Sequence, residues 1–327
     1  MRSSHARNKK IKSFLIHFTL ISGGILMTFP FFWMILTAFK SQQEILNVDQ
    51  WFPRQKVFAT VDGGRKIQVE VMEQLSDSLV RVRFPGVNDV RDLPSSSLER
   101  KTWMWSNFKT AWYKVKPSFT RYFFVTIFVA TVTTAGQLLT SILAAFAFVF
   151  FNFPMKNLIF TLFLATMMVP QQVLLVPNYL ILSTLGWIDT FAALIVPWLA
   201  HVFGIFMLRQ FFMQVPRDLL DAATIDGCSK FGFLFRILIP LSIPPIITIA
   251  IFTFLGSWNG LLWPLIVTNS QEMRTIQVGL SYFSQAEGTE WELLMAASTF
   301  CIMPLVLAYF FAQKYFVQGE ASSGLKG

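Results

Sequence analysis

Cysteine is nearly missing from this sequence. Cys228 and Cys301 are the two among 327 residues, and they lie far apart, in or beside apolar segments. No disulfide framework and no C-x-x-C site can be built from them, and both read as buried thiols. Histidine is as scarce, at three residues, and no H-E-x-x-H pair or comparable metal spacing occurs. A G-x-S-x-G nucleophile elbow is absent, and so is a G-x-x-x-x-G-K-[ST] phosphate cradle, for which the chain lacks even a Gly-Lys dipeptide. These gaps argue against an enzyme and against an ATP site of the chain's own. Charge is thin as well: Asp, Glu, Lys and Arg make up 14% of residues. None stands in the central part of a long apolar run, where His17 and His201 are the ionisable groups. A charge at the centre of a membrane costs at least about 2.5 kcal/mol and marks ion or proton relays. A relay-driven secondary transporter is therefore disfavoured, while Na⁺ coupling through backbone carbonyls stays open.

Apolar residues fill the space that charge leaves. They amount to 54% of the chain, 36 of them Phe, and the mean hydropathy is +0.53. That composition belongs to an integral membrane protein. Six runs approach or exceed the roughly 20 residues that a spanning helix needs: residues 13–38, 120–150, 157–183, 188–212, 238–268 and 293–316. The basic start resembles a signal peptide, but the run beginning at Leu15 continues to Phe39 and no small-residue cleavage site follows, so it reads as a first span. Basic residues cluster before the first span (Arg2, Arg7, Lys9, Lys10, Lys12), at Lys156, around the fourth-to-fifth connection (Arg209, Arg217, Lys230, Arg236) and at Lys314 and Lys326. With six spans these fall on one face, which places both termini in the cytoplasm. The net charge of +9 is spread over span ends and forms no stripe interleaved with aromatics, so no nucleic-acid partner is expected.

The expected organisation is residues 1–53 for the amino-terminal segment and first span, 54–101 for an external insertion, and 102–327 for a five-helix core. Within the insertion, apolar and polar residues alternate around Asp62-Gly63-Gly64, which predicts a hairpin and a third strand. A stabilising role and a docking role are equally open for it. Pro30, Pro170, Pro177, Pro197, Pro264 and Pro304 interrupt the apolar runs. Several kinked spans suggest a bundle around a pathway.

The connection 213–240 is the most distinctive stretch. Pro216 suits a first helical turn, Asp218 a helix N-terminus, and Gly227 the end of a helix about three turns later. A short helix from Pro216 to Asp226 is expected, with Leu219, Leu220, Ala222 and Ala223 as an apolar surface for another protein's groove. A plain connector helix is the alternative.

The string Asp221-Ala222-Ala223, three residues, Gly227, nine residues, then Ile237-Leu238-Ile239-Pro240 resembles the "EAA" loop in permease subunits of ATP-binding cassette (ABC) importers. The leading Glu of that motif is Asp here, and the Ala after its Gly is Cys228. The stretches "FKSQQEI", "VPNYLILSTLGWIDTFAALIVP", "FGIFMLRQFFMQVPRDL", "FTFLGSWNGLLWPLIV" and "MRTIQVGLSYF" are similar to the MalG-like branch of carbohydrate permeases. Two features depart from that branch: the insertion after "WFP", and "RYFFVTI" where an Asn-Ser is usual.

The resemblance implies an all-α polytopic permease of the type I importer fold, with six transmembrane helices and the β-rich insertion between the first two. It implies a bacterial inner membrane location, a MalF-like second permease, two ATPase subunits that carry ATP and Mg, an external solute-binding protein and a sugar. That sugar is a mono- or oligosaccharide, acidic ones included. For ATPase coupling it points to Asp221, Ala222, Ala223, Asp226 and Gly227. Amides beside aromatics make Gln171, Gln172, Asn178, Tyr179, Trp258 and Asn259 pathway candidates, with packing as the other reading of Trp258-Asn259. The segment 270–292 resembles the loop that reaches into the binding protein, with Gln277, Tyr282 and Gln285 as contacts, and the tail after Gln318 would touch the ATPase pair. A secondary transporter and a membrane scaffold are the rivals; ATPase co-purification and vectorial uptake separate them from an importer.

Overall fold

A computed structural model describes residues 2–46, 50–61, 65–76, 78–84, 89–285 and 288–323. The chain divides into two compact units, one of residues 1–112 with 283–300 and the other of residues 113–282 with 301–327.

The first unit begins with the helix Arg2–Ala38, whose apolar part, Ile11–Ala38, is the first span. At 1.5 Å per residue those 28 residues exceed the ~30 Å hydrocarbon core of a bilayer. Pro30 sits inside the helix without ending it. Beyond Ala38 the chain is pinned by polar groups. Asn107 donates its side-chain amide to the carbonyls of Ala38 and Lys40 at 2.9 and 2.8 Å. Glu44 and Lys56 form a buried ion pair at 2.7 Å. Glu44 also accepts from the backbone N–H groups of Ser41 and Arg54, and Lys56 donates to the Thr102 carbonyl. Every lone pair and proton so engaged lowers the desolvation cost of a buried pair.

The insertion forms a five-stranded antiparallel sheet. Its strands are β1 (Lys56–Val61), β2 (Arg65–Gln74), β3 (Leu79–Arg83), β4 (Val90–Pro94) and β5 (Leu98–Lys101). The first four make a meander, and β5 returns beside β1, giving the order β4-β3-β2-β1-β5. Ala59, Val69, Val80 and Val82 are the buried core of this sheet. The expected hairpin and third strand are β1 to β3; the Asp62-Gly63-Gly64 turn itself lies outside the described residues.

The second unit is helical. Its centre is the second span, Phe119–Phe150, against which the fourth and fifth spans pack. Close approach of these helices needs residues with little side chain. A Cβ on Gly204 would lie 2.6 Å from Ser141 Oγ, and in the short helix Ile276–Ser281, which also packs on the second span, one on Gly279 would lie 2.6 Å from the Tyr122 ring. Among the described residues four helices are long and apolar enough to cross a membrane, and up to six when each bent pair counts as one span. The third span is Lys156–Thr166 followed by Gln171–Thr184, bent by 92° at Pro170. The fourth runs from Phe191 to Phe212 with a 3-10 turn, Val196–Trp198, at its middle. The fifth is Lys230–Leu241 followed by Ile243–Trp258, bent by 79°.

Two expectations are corrected here. The fifth span starts at Lys230 and ends at Trp258 instead of covering 238–268, because Asn259-Gly260 stop the helix and Leu262–Val267 is a separate short one. The bend in that span lies at Ser242, ahead of Pro244-Pro245, and neither Pro30 nor Pro304 interrupts its helix.

Candidate functional site

The connection between the fourth and fifth spans holds a helix from Asp218 to Ile225, two residues later in onset than expected, since Pro216 and Arg217 precede it as acceptors for its first N–H groups. Gly227 ends it in the left-handed region at φ +77°. Its N–H donates to the Thr224 carbonyl, and the Cys228 N–H donates to the Ala223 carbonyl at 2.8 Å. These paired bonds are the Schellman arrangement, in which glycine carries no Cβ penalty.

Burial sorts the residues of this helix. Ala223 is buried, and with Leu220 it packs among Phe212, Phe233, Leu234 and Leu238. Asp221, Ala222, Asp226 and Gly227 are exposed. Leu220 and Ala223 therefore leave the expected docking surface: they anchor the helix to its own unit. Leu219 and Ile225 present apolar side chains outward, and Ile225 is 86% exposed. Ile225 escaped the sequence reading, although its three-residue spacing from Ala222 and Leu219 was visible. Beyond Gly227 a short helix, Lys230–Phe233, leads into a π-helical turn, Leu234–Leu238, whose Leu234 and Leu238 are fully buried in the cluster that holds Ala223.

A second constellation lies midway along the spans. Gln137, near the centre of the second span, donates its amide N–H to the Trp198 carbonyl at 2.6 Å and accepts from Thr253 Oγ1 at 2.9 Å. Thr140 donates to the next carbonyl, Leu199, at 2.6 Å. The 3-10 break in the fourth span frees these two carbonyls, and second-span side chains satisfy them, as membrane depth requires. Around this node a cavity of about 190 Å³ is walled by Thr133, Gln137, Gln171, Trp198, His201 and Thr253. An adjoining cavity of about 240 Å³ has Gln171, Gln172, Trp198 and Trp263 in its wall. The two indoles meet edge to face, with centroids 5.5 Å apart.

Of the expected pathway residues, Gln171 and Gln172 line these cavities. Trp258 does not: it is fully buried between Phe123 and Phe254. Tyr179 packs in the core around Leu182 and Ala193. Asn178 lines neither cavity, and Asn259 accepts from Gln277 Nε2 at 3.4 Å. Thr133, Gln137, Trp198, His201 and Thr253 were missed; nothing in the local sequence marks residues that meet only across four spans.

The segment from Ser270 is held by Asp189. This residue adopts φ +64° and accepts from the Asn269 N–H, the Ser270 N–H and the Ser270 hydroxyl, each at 3.0 Å. Tyr282 turns inward: its hydroxyl is buried and Arg274 stacks on its ring. Gln277 is half-buried. Gln285 lies in a two-residue strand paired with Gly288–Thr289, and its side chain is outside the described residues.

Similar proteins are consistent with these features. The chain is 37% identical over 207 residues to the arabinooligosaccharides transport system permease protein AraQ of Bacillus subtilis (strain 168), covering 63% of this chain and 74% of that one. It is 30% identical over 313 residues to the sn-glycerol-3-phosphate transport system permease protein UgpE of Brucella abortus (strain 2308), covering 95% and 96%. In fold it is similar to a chain from the crystal structure of a bacterial ABC transporter involved in the import of the acidic polysaccharide alginate. That match has a TM-score of 0.70 and 17% identity over 95% of this chain and 98% of the other. Residues 136–321 match the binding-protein-dependent transport system inner membrane components, and the chain belongs to that family of multi-pass ABC importer permeases.

Proposed function

We propose that this chain forms the translocation pathway of an ATP-driven carbohydrate importer together with a second permease, and that the helix Asp218–Ile225 transmits the work of two ATPase subunits. The supporting observation is the orientation of that helix. Ala223 and Leu220 tie it to the buried cluster from which the fifth span emerges, while Leu219, Asp221, Ala222 and Ile225 face outward. A partner gripping the outer face would move the fifth span with it. Carbohydrate as the solute class rests on AraQ, whose name specifies arabinooligosaccharides, and on the amides and indoles of the mid-span cavities. In this reading an external binding protein delivers the sugar, and ATP shifts the population between inward- and outward-facing states by its differential binding.

The test is ATPase activity of the complex purified through this chain into nanodiscs, with and without sugar-loaded binding protein. Co-purification of a Walker-motif subunit and stimulation by the loaded binder are expected. A preparation free of ATPase that still moves solute down an ion gradient would overturn the reading.

A further inference from the structure

We propose that this subunit itself seats two consecutive rings of an uncharged, linear oligosaccharide, one in each of the two adjoining cavities that share Trp198 and Gln171. The inference rests on the importer reading and adds a solute site and a solute class to it.

Position comes first. Thr133 and Gln137 lie near the middle of the 32-residue second span, Trp198 and His201 at the break of the fourth, and Gln171 at the 92° bend of the third. Irregular backbone at membrane depth persists where it is buried in protein or lines a cavity, and broken spans meeting at the midplane are how transporters build solute sites. Size is the second argument. Volumes of about 190 and 240 Å³ compare with roughly 30 Å³ per liquid water, which gives each chamber room for one small ring. Adjacent chambers sharing one wall suit rings joined in a line.

Chemistry is the third. A sugar ring offers an apolar C–H face and a rim of hydroxyls, and needs an aromatic face beside groups that both donate and accept. Trp198 supplies the indole to both chambers, Gln171 and Gln172 supply amides, and Thr133 and Thr253 supply hydroxyls. Thr133 carries the argument furthest. It is 3% exposed, it stands in the wall of the first cavity, and its hydroxyl has no hydrogen-bond partner among the described residues. Buried hydroxyls without a partner are rare and costly, so a sugar hydroxyl bonded to Thr133 would satisfy it. Charge is the fourth. The side chains in these walls are neutral amides, hydroxyls, aromatics and aliphatics, His201 excepted. A carboxylate or phosphate placed among them would be desolvated without a paired cation.

The experiment uses the whole complex in proteoliposomes, with its external binding protein on the opposite side from ATP. Uptake is measured for radiolabelled maltotriose, arabinotriose, cellotriose and xylotriose as neutral probes and trigalacturonate as the acidic one. At least one neutral probe is expected to be carried, with trigalacturonate at least tenfold slower. For the carried probe, Thr133→Val keeps shape and removes the hydroxyl, and should lower kcat/KM about three- to tenfold, while Thr133→Ser restores it. Trp198→Leu should abolish the preference for the trisaccharide over its monosaccharide; assembly of each variant is checked by co-purified ATPase. Parent-like transport by Thr133→Val, trigalacturonate carried as well as the neutral probes, or ATP-driven uptake of no neutral probe overturns the proposal. ATP-independent uptake in the unmutated complex would instead sink the importer reading.

Discussion

Single residues decide whether the loop helix is anchored, capped or free to dock. Gly227 occupies φ +77° with open space around the position of a Cβ, so the cost of a side chain there is conformational alone. Gly227→Ala should destabilise the complex by about 1–2 kcal/mol, and Gly227→Asn by less, because Asn tolerates the left-handed region; thermal unfolding of the purified complex reads both. Ala222 and Ala223 are neighbours in sequence with opposite environments. Ala223→Leu would overpack the cluster around Phe233 and Leu238, at about 1–3 kcal/mol. Ala222→Leu should leave the melting temperature near that of the parent and reduce the yield of co-purified ATPase. Equal effects of the two substitutions on melting would refute the inward and outward assignment. Gly227 was legible in sequence because its signal is local: a glycine one turn past an apolar, small-residue helix. The facing of Ala223 was not, since its partners Phe212 and Leu238 lie eleven and fifteen positions away in other elements.

Elements show a similar division. The β-strands of the insertion announce themselves by alternation, and β1 to β3 follow the pattern of Val57, Ala59, Val69, Val80 and Val82. Their ion pairs respond to acid. Lys66 first, then Lys101, holds the Glu99 carboxyl below the ordinary Glu value, and Arg81 does the same for Asp92. A carboxylate lowered in the fold contributes above its unfolded pKa, near 4.3 for Glu and 3.9 for Asp, and loses that contribution as pH falls through the folded value. Between pH 7 and about 5 the sheet should be unaffected; below about pH 4 the Glu99–Lys66 link from β5 across β1 to β2 and the β3–β4 link should weaken modestly, as exposed pairs do. Hydrogen exchange at pH 6 and pH 3.5, corrected for intrinsic rates, would detect this, and Glu99→Gln should remove the part that comes from the β5–β2 link. At the other loop, Asp189→Ala strips the acceptor from three donors. Faster proteolysis around Ser270 is expected, with the ATPase contact intact.

At the scale of the whole molecule, hydropathy and basic span ends predict that both termini and the 213–240 loop share one side of the membrane, opposite the insertion. Single cysteines at Ser4, Ser229 and Ser76, in a background lacking Cys228 and Cys301, would test it with an impermeant maleimide: the first two should label from one side and the third from the other. The sequence by itself determined the membrane class, the six apolar runs, the first three strands of the insertion and the glycine-stopped loop helix. Each of these is written in periodicities or chain neighbours a few residues apart. Only the tertiary structure decided that Trp258 packs in the core, that Ile225 projects outward, and that the fifth span bends at Ser242. It alone brought Gln137 to Thr253 across 116 positions. A cavity belongs to no segment: it is the space left where four spans bend, and its walls become neighbours only once those spans have packed.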